Sequence, residues 1–324
     1  VVDIMKPVKN MVGDPRYDHP APRRAVVTGA QGFIGREVSR QLTAQGCDVR
    51  GIGHSALSEE DKKALSISQW YSGGISNSSL HEAAKGADVV IHCAGSGSVP
   101  LSLREPMTDF FSNVVATAKV LDFAREVGGM PVVYLSSAGV YGKVDTLPIK
   151  VTAPCNPVSP YGVNKHIGEL LARQYATYFD VPTVILRLFS VYGNGLRKQL
   201  LWDASHKIHR GDLVFFGTGE ETRDWIHVED AAALIIRLWN HADLTVPVLN
   251  GASGEKTRIH TVIEHLARCF QTTDPIIFNG NVRVGDPTDY LADIDTSLAT
   301  GWHPRISLTD GLDCYAQWFR QNVL

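Results

Sequence analysis

The sequence predicts an α/β fold in which an open, mostly parallel sheet carries helices on both faces. From Arg23 onward, short β-branched runs alternate with amphipathic stretches, which is the pattern of repeated βαβ units. A glycine-spaced turn joins the first such run directly to a helical stretch. The length, 324 residues, allows one large α/β unit or a main domain with a smaller one.

Residues 1–22 hold four prolines, mixed charges and no apolar core of a signal peptide, and read as an N-terminal extension. Ala25-Val26-Val27 is the first strand, and Glu37 to Ala44 the first helix. Asp48 to Ile52, Asp88 to Cys93 and Pro131 to Leu135 are further strands, whose order in the sheet cannot be read from spacing. Ile167, Leu170, Leu171, Tyr175 and Tyr178 recur at helical spacing and make Tyr161 to Phe179 a long helix, followed by a buried strand from Val184 to Leu188. Gly193, Gly195, Gly211, Gly217 and Gly219 then break the pattern and predict a loop-rich region.

The segment Thr28-Gly29-Ala30-Gln31-Gly32-Phe33-Ile34-Gly35 places glycines at 29, 32 and 35 between a strand and a helix. A tight turn, a close backbone approach and close helix packing each need a residue without Cβ. The helix N-terminus that follows offers N–H groups to a pyrophosphate, so the turn, with Phe33 and Ile34, is a dinucleotide site. A bare αβ turn is the alternative.

An acidic residue at the end of the second strand would accept the adenosine ribose hydroxyls. Gly53 stands there instead, followed by His54 and Ser55. Without the carboxylate a 2′-phosphate is not repelled, and His54 and Ser55 can donate to it, which favours NADP(H) with NAD(H) possible. A plain loop, with adenosine held elsewhere, is the other reading.

Net charge is −3, from 31 basic and 34 acidic side chains without a block of either sign, which excludes a nucleic-acid or anionic-membrane surface as the main partner. The composition, 44% apolar and 20% charged with no run long enough to span a bilayer, is that of a soluble protein. Five scattered cysteines without a CxxC pair fit neither a disulfide framework nor a zinc site, and with no signal peptide they point to the cytoplasm. His227 and His260 lack metal-ligand spacing and read as structural or solvent-facing.

Tyr161 and Lys165 stand on adjacent turns of one helix face. Bringing a phenol from a pKa of about 10 towards 7 requires roughly 4 kcal/mol of preferential phenolate stabilisation, which Lys165 and a positive nicotinamide ring would supply together. Ser137 follows a buried strand, so its hydroxyl sits at the carboxyl edge of the sheet and can bind the oxygen that gains or loses a proton. Taken singly, a Tyr-x-x-x-Lys pair is more often solvated surface, and Ser-Ser at a strand end more often a cap.

Across residues 24 to 320, in order, run TGAQGFIG (28–35), DVVIHCAG (88–95), SSAGVYG (136–142), YGVNK (161–165), RLFSVYGNG (187–195), TRDWIHVEDAA (222–232) and RVGDPTD (283–289). This series resembles the extended short-chain dehydrogenase/reductases, in particular the nucleotide-sugar epimerases, dehydratases and 4-ketoreductases. The resemblance implies a Rossmann-type, doubly wound sheet over residues 23–190. It also implies a smaller, mainly substrate-binding lobe over 191–324, with segments around 222–251 returning to the first domain. It implies a triad of Ser137, Tyr161 and Lys165 supported by Asn113, with Ala94 and Gly95 lining the cofactor. It further implies a nucleotide diphosphate sugar held by Ser190, Arg223, Arg283 and Asp286, and a homodimer formed through the helices bearing Tyr161 and Asn113. A guanidinium suits a diphosphate because it offers several charge-assisted donors in a fixed fork.

Departures from the resemblance narrow the reaction. Similar dehydratases place Asp-Glu after the triad hydroxyl, whereas Ala138-Gly139 follows Ser137, so the acid and base for eliminating water are absent. Hydride transfer at C4 of the sugar remains, either as 4-epimerisation or as 4-keto reduction; Gly53, and Gly74-Ile75 on the third strand, weaken the pattern of tightly held NAD and suit NADPH. Ser190 stands where many similar proteins carry asparagine, and the glycines and lysine of residues 195–199 can compensate. Reduction of a small non-nucleotide ketone or aldehyde, and a non-catalytic NADP-sensing role, are the alternatives.

Overall fold

The computed structural model describes residues 20–281 and 289–324. Twelve strands occur among them: β1 (Arg24–Thr28), β2 (Asp48–Ile52), β3 (Gln69–Tyr71), β4 (Val89–His92), β5 (Val132–Ser137), β6 (Thr183–Leu188), β7 (Ser190–Tyr192), β8 (Val214–Phe215), β9 (Thr222–His227), β10 (Val248–Gly251), β11 (Lys256–Arg258) and β12 (Ile277–Phe278). Seven form one sheet in the order β3-β2-β1-β4-β5-β6-β10, and every pairing in it is parallel. The chain order reverses between β1 and β4, and ligands of such sheets bind at that reversal, outside the carboxyl ends of the strands.

The continuous apolar runs follow from burial of both sheet faces. Ala25 and Val27 of β1, Val89 and Ile91 of β4, and Val133 and Leu135 of β5 enter one core with the helices Phe33–Ala44 and Val228–Arg237. The alternating Val26, Val90, Val132 and Tyr134 face the opposite way, against Leu80, Val120, Phe123, Ala172 and Ala176 of the helices Asn77–Ala83, Ala116–Glu126 and Pro160–Phe179. The result is a three-layer helix, sheet, helix sandwich.

Beyond Tyr192 the chain is more regular than its glycines suggest. Helices Gln199–His209, Ile259–Cys269 and Leu308–Asn322 share a core with Trp225 and Phe215. Gly193, Gly195, Gly211, Gly217 and Gly219 all have positive φ and sit in the turns, so they end elements and leave their interiors intact. Leu201, Ala204, Ser205 and Ile208 are buried at helical spacing, a periodicity that the reading from glycines passed over. The first helix also starts earlier than Glu37: it begins at Phe33 and takes the last glycine of the turn into its first turn.

No helix among the described residues is long and apolar enough to cross a membrane, and all five cysteines are free thiols. Most of the N-terminal extension lies outside the described residues.

Candidate active site

The strand-to-helix turn is shaped by what a side chain would hit. Gly29 has φ +66°, and a Cβ there would lie 2.7 Å from Ala94 Cα; at Gly35 a Cβ would collide with the Gly29 carbonyl oxygen. Gly32 caps the helix without a side-chain hydrogen bond, and no acidic residue stands in the first turn. The first-turn N–H groups, those of Phe33 and Ile34 among them, have no partner within the helix and stand at the carboxyl end of β1, which fits a diphosphate.

A buried chain of polar groups ties this turn to the loop after β4. Ala94 N–H donates to Thr28 Oγ1 (3.3 Å), which pairs with His92 Nδ1 (2.7 Å). His92 Nε2 meets Thr117 Oγ1 (3.1 Å), and Thr117 in turn donates to the Asn113 carbonyl (2.5 Å). Because Thr117 spends its proton on that carbonyl, His92 donates through Nε2 and accepts from Thr28 through Nδ1. Burial, and then the charge of Lys165, hold its pKa down to about 3, so the ring is a neutral spacer.

Ser137, Tyr161 and Lys165 meet at the carboxyl end of β5. Ser137 Oγ accepts from Gly139 N–H (3.1 Å) and hydrogen-bonds the Tyr161 side chain. Gly139 fills the angle between them, where a Cβ would lie 3.4 Å from Ser137 Oγ and 3.5 Å from Tyr161 Cε1. Tyr161 stands in the first turn of the Pro160–Phe179 helix, which Ser159 caps by accepting from Gly162 N–H.

Lys165 is 6% exposed and its Nζ donates to the Leu135 carbonyl (3.0 Å). Burial pulls its pKa down to about 8, against the raising charges of Asp109, Cys93 and Glu169. The expected activation of Tyr161 is not present in the protein alone: burial raises the phenol, only partly offset by the Ser137 hydrogen bond, and Asp109 raises it further.

Asn113 lies in a single π-helical turn, Phe111–Val115, that carries its side chain inward. Its Nδ2 donates to Asp109 Oδ1 (3.1 Å), while its Oδ1, although buried, has no partner among the described residues. A Cβ on Gly95 would lie 2.6 Å from that oxygen and 3.3 Å from Lys165 Nζ. This orphaned acceptor beside a cradle that only glycine permits fits a ribose hydroxyl of a bound dinucleotide.

At the adenosine end, the missing carboxylate has a steric cause. Trp70 of β3 lies across β2 so that a Cβ on Gly51 would be 2.8 Å from its Cε3, and one on Gly53 would collide with the indole. Its Nε1 donates to the Ser55 carbonyl (2.9 Å). His54 and Ser55 are exposed, and the His54 ring covers Gly74.

The substrate-side residues are less closely grouped. Ser190 is half-buried on β7, paired with Trp225 of β9. Arg223, two residues before Trp225, donates to its neighbour's carbonyl (Nη1 to Thr222 O, 2.8 Å), and its charge acts on Asp289 and Tyr290. Tyr290 donates to the Ala138 and Gly142 carbonyls (3.2 and 2.8 Å), which sets Arg223 at the rim of the site. Arg283 and Asp286 lie outside the described residues. His227 is buried and caps the Val228–Arg237 helix, and His260 pairs with Glu264, in line with structural roles.

Several contributors were missed in the sequence. Asp109, fully buried, holds both Asn113 and Asn164 (Asn164 Nδ2 to Oδ2, 2.8 Å). Glu169 accepts two hydrogen bonds from Arg187 (2.9 and 2.7 Å) and one from Ser136 Oγ (2.6 Å), and so braces the residue before Ser137. Burial would raise Glu169, but Arg187, His166 and Ser136 bring it down to about 2. Its place four residues after Lys165, on the same helix face, was the available signal.

The chain matches the model of the NAD dependent epimerase/dehydratase family over residues 25–250. It is 27% identical to a putative UDP-glucose 4-epimerase of Methanocaldococcus jannaschii, covering 92% of this chain and 98% of that protein. The crystal structure of UDP-glucose 4-epimerase with UDP-glucose from Thermotoga maritima superposes with a TM-score of 0.84 at 25% identity, over 93% of this chain and all of that one. UDP-glucuronic acid 4-epimerase from Bacillus cereus, in complex with UDP-glucuronic acid and NAD, does so with 0.83 at 26% identity, over 92% and 99%.

Proposed function

Because the chain belongs to the NAD dependent epimerase/dehydratase family, we propose that it interconverts C4 epimers of a nucleotide diphosphate sugar by proton-coupled hydride transfer at its carboxyl-edge cleft. The observation that carries this reading is the meeting of Ser137, Tyr161 and Lys165 beside the glycine cradle of Gly95. The named activities of the similar proteins support it.

The nicotinamide cofactor supplies a reversible hydride acceptor and donor. Tyr161 is the proton carrier: as phenolate it takes the proton of the C4 hydroxyl, and as phenol it returns it after the 4-keto sugar has turned over in the cleft. Ser137 donates to the reacting oxygen and fixes its distance from Tyr161. Lys165, held by the Leu135 carbonyl, supplies the field that favours phenolate once a second positive charge is present. Ala138 and Gly139 carry no titratable group, so the pocket lacks the acid and base for loss of water. Arg223 and Arg283 serve the diphosphate, and Asp286, as an acceptor, serves hydroxyls of the nucleotide sugar.

A second reading, 4-keto reduction with NADPH, is favoured by one observation: Gly53 offers no carboxylate to repel a 2′-phosphate, and His54 and Ser55 are exposed beside it. One experiment separates the two. The purified protein is denatured and the released dinucleotide identified by mass spectrometry, then UDP-glucose and UDP-glucuronic acid are assayed for C4 epimers and a UDP-4-keto sugar for reduction with NADPH. Retained NAD and epimer formation support the first reading. Empty or NADP-loaded protein, with turnover only of a 4-keto sugar, supports the second.

The protein pairs through two helical faces. Leu103, Met107 and Phe111, and Val163, Leu170 and Tyr178, are large apolar side chains left exposed on the segments bearing Asn113 and Tyr161. Sedimentation as a dimer, and as a monomer after Met107→Glu with Leu170→Glu, is the expected outcome.

A further inference from the structure

We propose that Lys198 binds anionic oxygens of the nucleotide sugar at the sugar end of the cleft. The inference rests on the proposed sugar-nucleotide reading and adds a recognition residue to it. Lys198 immediately precedes the Gln199–His209 helix. A Cβ on Gly97 would lie 3.6 Å from its Nζ, and Gln199 Nε2 donates to the Gly97 carbonyl (3.2 Å), so the ammonium lies beside the loop that follows β4. Two residues earlier, Gly95 touches Lys165 and Asn113. The ammonium thus stands within a few ångströms of the loop that forms one wall of the catalytic cleft.

Three features make this cation a ligand for an anion rather than a surface charge. Lys198 has no hydrogen bond or ion pair among the described residues. It is open to solvent, yet the surrounding protein desolvates it and lowers its pKa, with no acidic group to compensate, which is the condition of a cation in a concavity. Its neighbour Arg197 is turned away, stacked 5.7 Å over Trp202 and 5.3 Å over Trp318, so the two adjacent cations have different tasks.

The surroundings repeat the signal. Ser96 Oγ, a donor in the same loop, is buried without a partner among the described residues. The helix behind Lys198 has no side-chain cap and no acidic residue in its first turn. Its first residue, Gln199, holds φ +67°, a conformation that costs free energy in a non-glycine residue. Ser190, a short donor on β7, leaves the anion in need of such a cation.

Two parts of one substrate carry suitable oxygens: the diphosphate and, in a uronate, the sugar carboxylate. Isothermal titration with UDP-glucose and UDP-glucuronic acid, on the wild type and on Lys198→Met and Lys198→Arg, distinguishes them. Lys198→Met should weaken binding about 10- to 100-fold, with Lys198→Arg recovering most of it. Equal loss for both sugars assigns the diphosphate, and loss confined to UDP-glucuronic acid assigns the carboxylate. A second measurement needs no variant: acetylation of Lys198 by acetic anhydride, read by peptide mass spectrometry, should be suppressed by the bound sugar nucleotide. Unchanged affinity for both sugars, with no protection, overturns the assignment while leaving the enzyme reading intact. Wild-type protein that binds neither sugar nucleotide overturns both.

Discussion

The indole of Trp70 occupies the space into which a side chain at Gly53 would grow. Strand β3 thereby decides which side chains the end of strand β2 can carry. The same ring excludes a side chain at Gly51, and its Nε1 donates to the Ser55 carbonyl.

Gly53→Asp alone should therefore destabilise the fold, by about 1–3 kcal/mol of overpacking, without creating a preference for NAD. Gly53→Asp with Trp70→Ala should recover the fold and strengthen NAD over NADP. Dissociation constants for both dinucleotides, with thermal melts, check this. A clean gain of NAD preference in the single variant would contradict the steric account.

Tyr161→Phe keeps the ring and its packing but removes the proton carrier. Turnover should fall about 10²- to 10⁴-fold, with little change in the affinity for UDP. Steady-state rates beside UDP titration separate the two effects, and an unchanged rate would remove Tyr161 from the mechanism.

Lys165 sets an alkaline limit. With a folded pKa of about 8, lowered from 10.5 mainly by burial, it loses its charge as pH rises through that value, so kcat/KM should decline above about pH 8. Asp109→Asn removes a charge that raises Lys165 and should move the decline to lower pH. Stability runs the other way: between about 8 and 10.5 the unfolded chain binds the proton that the native state does not, so the cost of burying the ammonium is full below pH 8 and is relieved as pH rises. Lys165→Met should accordingly raise the melting temperature at pH 7 while abolishing turnover.

Arg187→Met leaves Glu169 buried and charged without its main partner, a loss of about 3–5 kcal/mol at neutral pH. In the wild type, Glu169 has a folded pKa of about 2, below its ordinary 4.5, so its contribution is present above 4.5 and is lost as pH falls towards 2. The stability gap between wild type and variant should narrow over that acid range, as chemical denaturation at stepped pH would show. Because Glu169 also accepts from Ser136, the variant should lose turnover through misplacement of Ser137.

The local pattern of residues determined much of this protein. β-branched runs buried on both faces give a parallel sheet, three glycines between strand and helix give a tight turn that opens the first helix, and Tyr161 four residues before Lys165 sets both on one helix face. Each is a statement about neighbours along the chain, and chain geometry alone enforces it. The tertiary structure decided the rest, because the deciding contacts join segments that are distant in sequence. Trp70 excludes a side chain from Gly53; Asp109 reaches Asn164 across two helices; Arg187 binds Glu169 across a strand and a helix; the Gly97 loop receives Lys198 from the far lobe. The π-turn that carries Asn113 inward has a period that helical spacing does not encode. The low basicity of Lys165 and the raised pKa of the Tyr161 phenol likewise arise from burial, which is a property of the assembled fold.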